Sequence, residues 1–429
     1  MKYPDDYVDK TTCGDCIKVM AGMPENSVDA IVTDPPYGLG FMGKDWDKVL
    51  PPKEWLEQAM RIMKPGASIM VMGGTRTFHR MAVMIEDAGF IIKDTLCWLY
   101  GSGFPKAQDL GKMIDKREGA ERAVIGKYQH PDGSGKRKAV GMPIVNTASP
   151  RKKGGEWNYS LTAPTSDLAK HWDGFKIGGI KPAWEPIIWA VKPPEGAWID
   201  NMLKWGVGAV NVDECRIDSN GYTQGGKNRS IAFGMQGLSE KQPRCDGSKG
   251  RFPANVIHDG SDEVVGLFPD TKSGSGIKKQ ASGSARSIFD INKIGGKWID
   301  GDSGSAARFF YCAKSSRSER NAGCEGMETI QARTMSDGNG IGGTGPHDVR
   351  PKENFHPTVK PIALMEYLIK LVTRSGQVVL DPFCGSGSTI CAASGCNRHS
   401  IGIDISPDYC KIAKGRSRKR QGVLMEATA

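Results

Sequence analysis

"VVLDPFCGSGST", residues 378–389, is a short apolar run that meets an acid and then turns through two glycines into a pair of small hydroxyl residues. Val378 to Leu380 read as a buried strand, Asp381 stands at its carboxyl end, and Ser388 and Thr389 open a helix. Gly385 and Gly387 allow positive φ and a close approach of backbone to a ligand, and a helix start presents free N–H groups. Open α/β sheets bind ligands at strand carboxyl ends, so this stretch predicts an α/β fold with a ligand turn. A plain strand-to-helix turn is the alternative at this point.

Asp404 ends the next strand pattern, "IGID", where an acid accepts hydrogen bonds from ribose hydroxyls. Ile390 occupies the third-glycine position of a dinucleotide G-x-G-x-x-G turn, which argues against that ligand class. A second glycine pattern, Gly221 to Lys227, lacks the following Ser/Thr of a phosphate-binding loop, because Asn228 stands there.

The pattern continues on both sides of the turn. Residues 362–372, "IALMEYLIKLV", predict an apolar helix and "HSIGIDI" a strand. The front of the chain repeats the alternation: a strand at 29–34, a helix at 53–63 ended by "KPGAS", a strand at 69–72, a helix at 78–88 and the strand "FIIKDTLCWLY". Both chain ends therefore read as pieces of one mainly parallel sheet. Between them, residues 101–180 and 215–350 are rich in Gly, Ser, Lys, Arg and Asn, with apolar islands such as "WIDNMLKWGVGAVNV", "RFPANVIHD" and "ARFFYCAK". These predict an irregular inserted region with small structured pieces.

The 429 residues carry a formal charge of +10, which suits an anionic partner, nucleic acid first. Lys136, Arg137, Lys138, Arg151, Lys152 and Lys153 form one acid-free cluster, and a second runs from Lys411 to Arg420. No long apolar run predicts a membrane span, and "MKYPDDYVDKTT" lacks the plan of a secretion signal, so the expectation is a cytoplasmic protein. The eleven cysteines include one close pair, Cys13 and Cys16, without a second pair at ligand spacing or an evident strand-to-helix context; no metal site is expected.

The remaining feature is "SVDAIVTDPPYGLGF", residues 27–41, where a buried-looking strand stops on an acid, two prolines and a tyrosine. Prolines fix φ and donate no N–H, so the loop is stiff and its carbonyls stay aimed.

These segments together resemble the amino-directed DNA methyltransferases. "DPFCGSGST" is similar to their D-P-F-x-G-S-G-T cofactor motif and "TDPPY", residues 33–37, to their catalytic D-P-P-Y. "GDCIKVMAGMPENSVDAIV", "KPAWEPIIWAVKP" and "FHPTVKP" resemble the flanking segments, with Glu185 in the strand that follows the catalytic half. The catalytic motif precedes the cofactor motif, the arrangement of the β group. "YGSGFPKAQDL", "LKWGVGAVNVDECRI" and "GRFPANVI" further resemble phage and prophage adenine-type members.

The resemblance implies a Rossmann-like S-adenosylmethionine-dependent methyltransferase sheet built from both chain ends. Its parts would be a catalytic half (1–105), a basic insertion (106–180), a return to the sheet (181–213), a target-recognition region (214–350), a cofactor half (351–415) and a basic tail (416–429). It implies catalytic roles for Asp34, Pro35, Pro36 and Tyr37. Asp34 and the Pro35 carbonyl would accept the N–H groups of the target amine, and Tyr37 would stack on a flipped base. The implied cofactor set is Asp15 at the adenine amine, Phe383 near the adenine, Gly385 and Gly387 facing the methionine portion, Asp404 at the ribose, Asp381 and Ser388 in the turn, and Thr358 and Lys360 near the cofactor carboxylate.

Aspartate in D-P-P-Y favours adenine N6 over cytosine N4, where S-P-P-Y is common. An inactive DNA-binding relative is a further alternative. No cysteine follows a proline, which argues against cytosine C5 methylation. Double-stranded DNA is the expected substrate, homodimerisation is open, and any partner restriction nuclease would be a separate protein.

Overall fold

A computed structural model describes residues 1–40, 45–103, 106–127, 160–217, 250–272, 276–279, 296–299, 303–313, 317–327, 330–332 and 350–428. The basic residues 136–138 and 151–153 and the glycine pattern at 221–227 lie outside them.

Nine strands form the central sheet: β1 (Lys10–Cys13), β2 (Val28–Thr33), β3 (Met63–Met72), β4 (Ile91–Leu99), β5 (Trp184–Val191), β6 (Val256–His258), β7 (Tyr311–Cys312), β8 (Val378–Asp381) and β9 (His399–Asp404). Their spatial order is β1-β9-β8-β2-β3-β5-β4-β6-β7, so front and tail strands interleave. The tail strand β8 lies between β9 and β2, with Val379 opposite Ala30 and Leu380 opposite Ile31. Only β5 runs against its neighbours. That reversal brings the start of β5 to the carboxyl ends of the others, with Glu185 opposite Trp98.

The helices are α1 (Cys16–Ala21), α2 (Glu54–Ile62), α3 (Phe78–Asp87), α4 (Leu110–Glu118), α5 (Asp167–His171), α6 (Trp198–Trp205), α7 (Asp262–Val265), α8 (Arg317–Asn321), α9 (Ile362–Val372), α10 (Ser388–Gly395) and α11 (Pro407–Thr428). Side chains alternate across a strand, and both faces of β2 and β3 are covered. Ile31, Ile69 and Val71 pack with Trp55, Leu56 and Ile62 of α2 in one apolar layer. Ala30, Val32, Met70 and Met72 pack with Leu364, Leu368 and Val372 of α9 in the other. Each such fully buried aliphatic side chain contributes about 1.5–3 kcal/mol.

One boundary differs from the sequence reading. "KPGAS" belongs to β3 instead of stopping α2 as a loop. The Gly66 N–H donates to the Lys192 carbonyl and Lys192 returns an N–H to Ala67, which draws the segment into the sheet.

The insertion is structured over 106–127 and 160–179. Its outer strands pair Lys106–Asp109 with Lys176–Gly179, and its inner ones pair Val124–Lys127 with Ser160–Thr162. Asp115 of α4 is its polar centre, ion-paired to Arg122 at 2.5 Å and accepting from the Thr165 and Ser166 N–H groups.

The expected tail at 416–429 is no separate unit, because α11 runs unbroken across 415 and 416. Arg416 is buried within it, not solvated. No helix among the described residues is long and apolar enough to cross a membrane.

Candidate active site

The carboxyl ends of β1, β9, β8 and β2 lie in a row, which lines up Gly14, Asp404, Asp381 and Thr33. Asp381 is buried and knots this row together. Its Oδ1 accepts from the Thr33 hydroxyl at 2.6 Å and from the Phe383 N–H at 3.1 Å, while its Oδ2 accepts from the Thr389 hydroxyl at 2.5 Å. Burial pushes its carboxyl up to about 6 against these hydrogen bonds, and the nearby Asp34 charge adds to the rise. Both Asp381 oxygens are thus engaged by protein donors.

The two glycines of the turn are required by the protein itself. Gly385 has φ +49°, and a Cβ there would stand 2.6 Å from His356 Nε2. Gly387 has φ +79°, and a Cβ there would stand 2.8 Å from the Ala413 Cβ of α11. The Cβ positions of the two glycines thus face His356 and Ala413. The Ser388 hydroxyl is likewise turned to α11, where it accepts from Arg416 at 3.3 Å. Arg416 also donates to the Ser386 carbonyl at 2.8 Å and hydroxyl at 3.0 Å, holding the turn from behind.

Asp404 receives the Gly385 N–H on Oδ2 at 2.8 Å and the Ser406 N–H on Oδ1 at 2.8 Å. Burial raises its carboxyl, and these two N–H groups partly offset the rise. Asp15 caps α1 by accepting the Lys18 N–H. The Phe383 ring packs edge-on to Trp55 at 5.2 Å. His356 sits between Trp46 and Tyr409, and its ring is pushed down to about 3 by burial, then by the Lys360 charge, so it is neutral at working pH. The Thr358 N–H donates to His356 Nδ1.

A cation carrying a ribose diol and an adenine amine needs acceptors and an apolar floor. Asp404 and Asp15 beside Phe383 supply that chemistry, so these residues fit S-adenosylmethionine.

Next to this cradle, Asp34 leaves β2 at the head of the P-P-Y turn. Tyr37 folds back so that its hydroxyl donates to Asp34 Oδ1 at 2.6 Å and reaches Glu185 Oε2 at 3.3 Å. Asp47 pins the turn by accepting the N–H groups of Tyr37 and Gly38 at 2.7 and 3.2 Å. The Lys360 ammonium is 2.6 Å from Asp34 Oδ2 and 3.3 Å from Glu185 Oε2. A buried ammonium is stable only beside carboxylates, and these are the two that it finds. Burial would lower Lys360, but Asp34 and Glu185 hold it well above its usual range. Burial and the same two acids raise the Tyr37 hydroxyl.

Sequence reading missed His356, Asp47 and Arg416. His356 lay within the quoted "FHPTVKP", and Arg416 was hidden inside a basic run. Cys13 ends β1 and Cys16 opens α1, a strand-to-helix context contrary to expectation. Burial, with Asp15 beside it, nevertheless pushes the Cys16 thiol up to about 12, the reverse of a redox-active centre. Among the described residues no cluster of metal ligands occurs.

The DNA methylase family profile matches residues 28–415. The type II methyltransferase M.HindIII of Haemophilus influenzae is 21% identical over 447 aligned positions, covering 94% of this chain and 93% of that protein. M.HpaI of Haemophilus parainfluenzae is 33% identical over 114 residues, 24% of this chain and 35% of its own length. Among solved structures, M1.HpyAVI with SAM aligns over 95% of this chain and 98% of its own, at 16% identity and a TM-score of 0.36. The cytosine-N4-specific PvuII DNA methyltransferase covers 97% and 91% at 14% identity and 0.39. The chain belongs to the family of N6-adenine and N4-cytosine DNA methylases, as a site-specific DNA methyltransferase that uses S-adenosylmethionine.

Proposed function

We propose that the enzyme methylates adenine N6 in double-stranded DNA, with Asp34, Pro35, Pro36 and Tyr37 as its reacting loop. The observation that carries this reading is a carboxylate, not a hydroxyl, at the head of the P-P-Y turn, one residue from the Thr33 that is bonded to the cofactor turn. When bound, the cofactor would supply an electrophilic methyl carbon to the amine nitrogen, the C–S electron pair leaving with sulfur and one amine proton passing to solvent. The protein must orient a nitrogen whose lone pair is delocalised into the ring. Asp34 accepts one N–H and the Pro35 carbonyl the other, which favours a pyramidal nitrogen and stabilises its developing positive charge. Phe383, Asp404 and Asp15 hold the cofactor, with Gly385, Gly387 and Thr358 at its methionine portion.

Lys136, Arg137, Lys138, Arg151, Lys152 and Lys153 are assigned to phosphate contacts and residues 214–350 to sequence readout. Apolar Ile199 and Leu203 are exposed one turn apart on α6, which supports homodimerisation and a test by sedimentation. The cytoplasm of a bacterial or phage-infected cell is the assigned compartment, since it holds the DNA.

Mass analysis of nucleosides from DNA treated with the enzyme tests the central reading. N6-methyladenine is expected; N4-methylcytosine alone would overturn it. Asp34→Ala should abolish methylation and leave most cofactor and DNA binding in place.

A further inference from the structure

We propose that Lys360 is a positioning residue for methyl transfer, holding Asp34 turned to the cleft, and that Glu185 keeps the ammonium from closing on Asp34 alone. The inference rests on the reading of Asp34 as the amine acceptor.

Three distant segments meet here: Asp34 and Tyr37 after β2, Glu185 at the start of β5, and Lys360 before α9. Lys360 is 7% exposed, so its charge is hardly shared with water. One ammonium serves two carboxylates, at 2.6 Å to Asp34 and 3.3 Å to Glu185, and the Tyr37 hydroxyl also lies 3.3 Å from it. The Tyr37 hydroxyl donates to the other oxygen of Asp34. Each carboxylate oxygen has two lone pairs, so both Asp34 oxygens keep room for an amine N–H. The acceptor strength of those oxygens depends on the charges beside them.

The titratable groups that face Asp34 are Tyr37, Glu185 and Lys360; Tyr100 lies beyond Glu185, and Asp381 behind Thr33. Lys360 is the cation that opposes the acids. Glu185 draws part of its charge away, which leaves Asp34 a strong acceptor instead of a saturated ion pair.

The test is single-turnover transfer of labelled methyl to unmethylated DNA, followed against pH, with cofactor affinity and thermal unfolding measured on each variant. K360M should slow transfer by about a hundredfold, the scale of losing one electrostatic contact in an active site. Its acid limb should move to higher pH, because the cation 2.6 Å from Asp34 is gone. E185Q should move the acid limb the other way. The double variant K360M/E185Q, with one charge of each sign removed, should return the limb toward the wild-type position. K360R keeps the cation and should leave the limb in place while lowering the rate.

Limbs that shift in the same direction for K360M and E185Q, or a folded K360M with an unmoved limb, would overturn the proposal. Should K360M fail to accumulate, E185Q and K360R carry the test: an E185Q limb at or above the wild-type pH overturns it. Methylation by Asp34→Ala would instead remove the underlying reading of Asp34, so the two failures are distinguishable.

Discussion

The Thr33 hydroxyl donates to a carboxylate oxygen of Asp381 at 2.6 Å, across 348 residues of sequence. This bond joins the strand that carries the P-P-Y turn to the strand that carries the glycine turn, so the two functional loops share one buried anchor. Burial lifts Asp381 to about 6, whereas an unfolded aspartate titrates near about 3.9. The folded chain therefore binds this proton more tightly than the unfolded one. Its contribution to stability is fully present below pH about 3.9 and is lost as pH rises through about 6, a change of about 3 kcal/mol. The stability difference between wild type and Asp381→Asn, measured in denaturant, should fall across that window, since asparagine does not titrate. A difference that stays flat with pH would mean that Asp381 is not perturbed.

Gly376 and Gly387 both have φ +79°, yet only Gly387 has protein against its Cβ position. Gly376→Ala should cost about 1 kcal/mol, the strain of a left-handed alanine. Gly387→Ala adds a methyl 2.8 Å from the Ala413 Cβ and should cost about 1–3 kcal/mol more. Urea unfolding of the two variants isolates the packing term; equal costs would show that α11 yields freely.

Local pattern carried most of the fold. The β2 and β8 runs are buried on both faces, and α9 begins and ends at Ile362 and Val372, where its apolar run does. The acids and glycines at strand ends were legible because chain geometry forces a turn there. What was not legible depends on partners far away in sequence. Lys360 has no local reason to meet Asp34; the antiparallel run of β5 delivers Glu185 beside the pair. Arg416 reads as one more charge in a basic helix until the Ser386 carbonyl and two hydroxyls are found beneath it. "KPGAS" has the residues of a helix stop, and does stop one, but a two-way backbone exchange between 66–67 and Lys192 makes it strand.

Arg416→Met should weaken cofactor binding more than it slows chemistry. The guanidinium fixes the Ser386 carbonyl and the Ser388 hydroxyl, and so the path of the turn, without touching Asp34. Loss of these charge-assisted bonds is expected to raise the cofactor Kd about tenfold, or about 1.4 kcal/mol, with kcat near wild type at saturation. Calorimetric titration and single-turnover rates separate the two. A fall in kcat with an unchanged Kd would place the effect of Arg416 on the P-P-Y loop instead.

Thiol chemistry at the front of the chain gives a last check on how the cofactor edge is packed. Cys13 is exposed at the end of β1, opposite Asp404, whereas Cys16 lies behind Asp15 in the first turn of α1. With Cys16 pushed up to about 12 by burial and then by Asp15, only about one molecule in ten thousand carries its thiolate at pH 8. Iodoacetamide should therefore alkylate Cys13 in the folded protein and reach Cys16 only after denaturation, as read by peptide mapping. Equal labelling of both would mean that α1 opens readily and that Asp15 is not held where the cofactor reading needs it.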